Sequence, residues 1–219
     1  MNFQTLEKFK HIDRILVSFH IIRRAINKKK KIPKHIIEKL EDLENRTFPH
    51  NTKIRFTFFK DDFSKLLNAK AIPPNYVIIS PEWAATLILE NNITVENSFN
   101  ITVGHEITHN LGDFSDAKLK NNDKYFISWI NEVHADFGAA KEMANNSRNK
   151  LIQSMYYKLS RKKKDKPHTS HPSWKRRLYY AKNYNFDKNL IYQIAIDVGC
   201  SNEKLIQNVI NFYGPIILK

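Results

Sequence analysis

The chain has 219 residues, of which 42% are apolar, 12% aromatic and 26% charged, a composition that supports a hydrophobic core and excludes a disordered or collagen-like polymer. Five glycines are too few for the many tight turns of an all-β barrel or sandwich, so a mostly helical α+β fold is expected. The formal net charge of +14 suits nucleic acid, an anionic membrane surface or acidic protein partners without choosing between them, and much of it sits at residues 28–31 and 161–164.

Residues 3–27 and 34–45 carry apolar positions at helical spacing, among them Ile12, Ile15, Leu16, Phe19 and Ile22, and are separated by a lysine run and Pro33. They predict an N-terminal helical segment over residues 1–50. Its longest nearly apolar stretch, residues 15–22, includes Ser18 and His20 and falls short of the roughly 20 residues a bilayer-spanning helix needs, so no stable membrane insertion is expected. One cysteine, Cys200, and the lack of a secretory pattern point to a reducing, cytoplasmic setting.

Alternation of Ile54, Phe56 and Phe58 with Arg55 and Thr57 predicts a half-buried strand over 54–59, followed by a short helix over 61–67. Pro73, Pro74 and Asn75 interrupt two β-prone pieces, 69–72 and 76–80, which predicts a small hairpin or irregular edge. Helical patterns return at 81–90, 98–111, 122–145 and 150–160. Beyond the basic loop, Pro172 is expected in the first turn of a helix reaching about residue 183, and two last helices fit 189–198 and 202–212. The organisation read from this is a helical segment over 1–50, a main domain over 51–183 and a helical pair over 184–219.

His105-Glu106-Ile107-Thr108-His109 matches the H-E-x-x-H pattern, which on a helix puts two imidazoles one turn apart on one face. With nine histidines in the chain the pattern arises by chance about 0.02 times, so a third ligand decides its meaning. The next predicted helix carries Glu132 and Asp136 at i and i+4, beside an apolar stripe of Phe126, Ile130, Val133, Phe137 and Ala140 that would press both carboxylates against the first helix. Buried carboxylates are costly unless they meet a cation or a metal. Glu132 is therefore expected as third ligand, Asp136 as acceptor of a ligand histidine's free N–H, and Glu106 as proton acceptor from an activated water.

These residues, with Gly138 after them, resemble the gluzincin metallopeptidases, specifically the group of CAAX-processing proteases and heat-shock membrane peptidases, here in a form without transmembrane helices. Asn68-Ala69 followed by Val77-Ile78-Ile79 resembles that family's edge strand and the strand after it, and His171-Pro172-Ser173 with Arg177 resembles its H-P-x-x-x-x-R element. The resemblance spans roughly residues 52–183. It implies a zincin-like fold with a small β-sheet and an active-site helix, one Zn2+ on His105, His109 and Glu132, and Glu106 as general base. It further implies that His171 faces the cleft, that Arg177 supports the ligand shell and that Asn68 and Ala69 dock the backbone of a protein or peptide substrate.

The 113–123 loop offers no histidine as an alternative ligand. His134 points roughly 200° from Glu132 around the helix and is expected to be a bystander. His168 rivals His171 as a donor to the substrate carbonyl, and Tyr156, Tyr157, Tyr179 and Tyr180 are further phenolic candidates. Ile194-Ala195, Val198-Gly199-Cys200-Ser201-Asn202 and Leu205 resemble a helix-turn-helix of the arabinose-regulator type. With the basic charge this gives the competing expectation, a DNA-binding regulator of phage or mobile-element type whose peptidase domain cleaves a repressor.

Overall fold

A computed structural model of the chain describes residues 69–72, 76–79, 92–119, 121–142, 147–161 and 164–217. The expected N-terminal helices, the strand over 54–59, the helices over 61–67 and 81–90, and Asn68 lie outside the described residues.

Within them the protein is mostly helical. Strands β1 (Ala69–Ile72) and β2 (Tyr76–Ile79) pair antiparallel, with Ala69 opposite Ile79 and Ala71 opposite Val77. Six helices follow: α1 (Ile93–Leu111), α2 (Asn121–Glu142), α3 (Arg148–Ser160), α4 (Trp174–Asn183), α5 (Lys188–Val198) and α6 (Glu203–Ile217). None is long and apolar enough to cross a membrane.

Helix α1 is buried along nearly its whole length between the hairpin, α2 and α3. It begins at Ile93 rather than at residue 98, because the Asn92 side chain accepts the Val95 N–H at 3.0 Å and caps the first turn. Its buried polar residues are satisfied locally or across the interface. The Thr102 and Thr108 hydroxyls donate to the carbonyls of Ser98 and Gly104, and the Ser98 and Ser154 hydroxyls meet at 3.1 Å between α1 and α3. At the crossing with α2, a Cβ on Gly138 would lie 2.5 Å from the Thr108 side chain, so only glycine permits this approach.

Pro172 does not enter the first turn of α4. The Ser173 hydroxyl accepts the Arg176 N–H and takes the N-cap, which leaves the proline one position outside the helix. Helix α5 closes on Gly199, whose φ of 69° is left-handed, and α6 continues past Phe212 to Ile217. Phe126, Ile130 and Val133 of α2 share one core with Tyr180, Leu190, Ile194, Val209 and Tyr213, so the last two helices pack directly on the helix that carries the acidic pair. The Tyr213 hydroxyl donates to Asn131 Oδ1 at 2.8 Å and accepts the Phe114 N–H at 3.2 Å.

Candidate metal centre

The last turns of α1 carry His105, Glu106 and His109. Helical spacing sets the two imidazoles edge to face, with ring centres 4.6 Å apart and Nε2 atoms 3.1 Å apart. Each ring is held from behind. His105 Nδ1 lies 3.0 Å from Asp136 Oδ1, and His109 Nδ1 lies 2.9 Å from Asp113 Oδ2. An ionised carboxylate only accepts, so both Nδ1 atoms carry protons, and in the neutral rings both Nε2 lone pairs point forward.

Glu132 of α2 completes the set, with Oε2 3.4 Å from His105 Nε2 and Oε1 3.6 Å from His109 Nε2. The ligand atoms of His105, His109 and Glu132 all lie within 4.8 Å of one another, and the cluster could bind a metal ion. Lone pairs this close repel unless a cation or a proton stands between them.

The titration behaviour follows from that crowding. Burial alone would lower the His105 pKa, but hydrogen bonds to Asp136 and Glu132 outweigh it and raise the value to about 9. Burial likewise pushes Glu132 and Asp136 upward and is overcome. Hydrogen bonds from His105 and His171 hold Glu132 well below the usual carboxylate range, and the Arg177 charge lowers Asp136. Without a metal, the proton on His105 takes the cation's place.

Arg177 reaches the site from α4, as the sequence suggested, but its main partner is Asp136 and not Glu132. Its Nε donates to Asp136 Oδ2 at 2.7 Å and its Nη2 donates to Oδ1, whereas Nη1 reaches Glu132 Oε2 at a looser 3.3 Å. Arg177, Asp136 and His105 therefore form one buried chain from α4 through α2 to α1.

Glu106 faces the same cleft, and its Oε2 accepts the Ala71 N–H from β1 at 2.6 Å. Ala69 is buried in that strand and also lines the cleft. His171 stands at the mouth, its side chain 55% exposed, with Nε2 3.1 Å from Glu132 Oε1. The Ser170 hydroxyl lies 2.6 Å from His171 Nδ1 and 2.8 Å from His168 Nδ1, while Trp129 Nε1 donates to the His168 carbonyl and ties this loop to α2. The cleft measures about 760 Å3, within the range of small-molecule and peptide sites.

His134 is absent from this group. It is buried on the opposite side of α2 against Tyr213 and Phe186, and burial pulls its pKa down to about 4. Tyr156, Tyr157, Tyr179 and Tyr180 do not line the cleft either. Sequence reasoning missed Asp113, the Ala71 amide and Trp129. Only Asp113 left a signal, its spacing of four from His109. No protein-family model, curated protein or solved structure matches the chain.

Proposed function

We propose that the protein is a zinc-dependent metalloendopeptidase with a zincin-like fold, in which His105, His109 and Glu132 hold the ion. The observation that carries this reading is the convergence of two imidazole lone pairs and one ionised carboxylate beside a second, non-ligating carboxylate, Glu106. Two nitrogens and one oxygen are a common donor set of catalytic zinc, whereas magnesium and calcium prefer oxygen alone. Zinc at this position supplies Lewis acidity that polarises a carbonyl and makes water nucleophilic near neutral pH.

The chain's own residues then divide the work. Glu106 accepts the proton of the attacking water and delivers it to the departing amine. The Ala71 N–H aims that carboxylate and gives way as substrate backbone takes the edge of β1. His171, exposed and able to reorient, donates to the developing oxyanion. Asp136 and Arg177 keep His105 in one tautomer and one orientation.

The DNA-regulator reading lacks comparable support, since the exposed face of α6 offers Glu203, Lys204, Gln207, Asn208 and Asn211, and so a single cation for phosphate. The deciding experiment compares zinc-loaded wild type with Glu106→Gln on an unstructured protein such as casein. The variant should keep one zinc per chain and its melting temperature while losing at least about 100-fold in cleavage rate. A wild type that cleaves nothing, or a variant that cleaves equally well, overturns the reading.

A further inference from the structure

Three imidazoles of the site are each held from behind at Nδ1, but not by the same chemistry. His105 and His109 meet carboxylates, those of Asp136 and Asp113. An ionised carboxylate can only accept, so it fixes the hydrogen on Nδ1 and leaves a lone pair on Nε2, the state a metal ligand needs. Behind His171 stands the Ser170 hydroxyl, 2.6 Å from Nδ1. A hydroxyl can donate as well, and it is therefore able to impose the opposite state.

The hydrogens around Ser170 select that state. His171 Nε2 lies 3.1 Å from Oε1 of the ionised Glu132, a contact that calls for a hydrogen on the nitrogen. A neutral ring carries only one, so Nδ1 is left as an acceptor and takes the hydroxyl hydrogen of Ser170. The same oxygen then has lone pairs for His168, whose Nδ1 lies 2.8 Å away and donates to it. The other neighbours of His168 Nδ1, the Ser170 N–H at 3.3 Å and the Thr169 hydroxyl at 3.5 Å, are longer contacts and yield to this one. The turn that carries these groups is itself fixed. His168 and His171 exchange both backbone hydrogen bonds, and Trp129 Nε1 donates to the His168 carbonyl at 2.9 Å. Trp129 stands on α2 one helical turn before Glu132, so the turn and the third ligand share one support.

We propose that Ser170 is a positioning residue for His171, whose hydroxyl, held by His168, keeps the ring hydrogen on Nε2 and the ring turned towards the cleft. Ser170 is not among the residues that line the cleft, so it acts only through His171. His168 serves the donor instead of competing with it. The two kinds of backing sort the histidines by task, with carboxylates behind the rings that give a lone pair and a hydroxyl behind the ring that gives a hydrogen. The catalytic consequence rests on the peptidase reading, whereas the tautomer is measurable without turnover.

The experiment uses the zinc-loaded full chain as wild type, Ser170→Ala and Ser170→Thr. Nitrogen NMR of the imidazoles at about pH 8.5, well above the ordinary imidazole pKa of about 6.5, should show His171 protonated at Nε2 and bare at Nδ1 in wild type. Ser170→Ala should bring the two nitrogen signals closer together as the tautomers exchange, and Ser170→Thr should restore them. In the cleavage assay Ser170→Ala should lower kcat about three- to tenfold, the worth of one neutral hydrogen bond, with KM within about twofold and zinc content unchanged. Ser170→Thr should regain most of kcat. In a His171→Ala chain, Ser170→Ala should have no further effect, where a purely structural loss would persist. A wild-type His171 protonated at Nδ1, nitrogen signals that ignore Ser170→Ala, or a Ser170→Ala loss of the same size without His171 overturns the inference. If the tautomer shifts as expected and no form cleaves casein, the peptidase reading fails while the positioning of His171 stands.

Discussion

Arg177 and Asp136 meet through two nitrogens and both carboxylate oxygens, and the Asp136 oxygen that faces His105 is one of the pair. His105 is thus positioned by a carboxylate that is itself clamped by a buried guanidinium. Removing either partner leaves an uncompensated charge in the interior. Arg177→Ala should cost about 3–5 kcal/mol of stability, and Asp136→Asn should lower zinc affinity by roughly 10- to 100-fold. Arg177→Lys keeps the charge but loses the fork, so it should fall between wild type and Arg177→Ala. Thermal unfolding and competition with a zinc chelator measure both quantities.

Asp113 plays the same part for His109 but in a wetter place, its side chain 34% exposed against 4% for Asp136. Asp113→Ala should weaken zinc binding by about tenfold or less and change the melting temperature little. An effect as large as that of Asp136→Asn would mean that burial does not set the difference between the two histidines.

Zinc uptake should be coupled to a proton. His105 has a pKa raised to about 9 without a metal, and so is charged at pH 7.5, yet it must be neutral to ligate. Calorimetric titrations at pH 7.5 in buffers of different ionisation enthalpy should show about one proton released per zinc, falling towards none above pH 9. The same raised pKa stabilises the metal-free fold fully below about pH 6.5 and loses that contribution as pH rises through 9.

His134 gives the opposite sign. Its pKa falls from 6.5 to about 4 on burial, so the neutral ring's contribution is present above 6.5 and is lost as pH falls towards 4. Zinc-stripped protein should lose about 2 kcal/mol between pH 7 and pH 5 from this group alone. His134→Phe should remove that part of the acid sensitivity. Chemical denaturation of both proteins at the two pH values tests it, and equal losses would assign the sensitivity elsewhere.

His171→Ala should lower turnover by about 10²- to 10³-fold and leave zinc content and melting temperature little changed, since the side chain is more than half exposed and Glu132 keeps His105 and Arg177 as partners without it. A parallel loss of zinc would make it part of the ligand shell instead.

Gly138→Ala forces a methyl into the Thr108 side chain and should cost about 1–3 kcal/mol. Thr108→Ala in the same chain should restore most of it, a coupling that a double-mutant cycle on unfolding free energies would reveal.

The helical period made His105, His109, Glu132 and Asp136 readable, because residues four apart must share a face whatever the rest of the fold does. The hairpin was readable from the prolines between two β-prone pieces. Spacing could not decide which carboxylate Arg177 would meet, since Glu132 and Asp136 occupy one face and only the depth of burial favours Asp136. Asp113 escaped because it lies beyond Gly112, where φ of 132° turns the chain back in a way periodicity does not encode. The starts of α1 and α4 were set by single side-chain caps at Asn92 and Ser173, short-range choices that the β-branched Ile93, Thr94 and Val95 and the adjacent Pro172 obscured.

The hydroxyl of Tyr213 bears on how this protein can be taken apart. It grips Asn131 on α2 and the backbone of Phe114, the residue after the aspartate that orients His109. The two C-terminal helices are therefore not a detachable module. A chimera that exchanges them for another helical hairpin, or a truncation that ends the chain before Tyr213, also releases the segment behind His109. Shuffling at residue 183, which the sequence pattern invites, would cut through a unit that can be transplanted only together with the helix bearing Asn131.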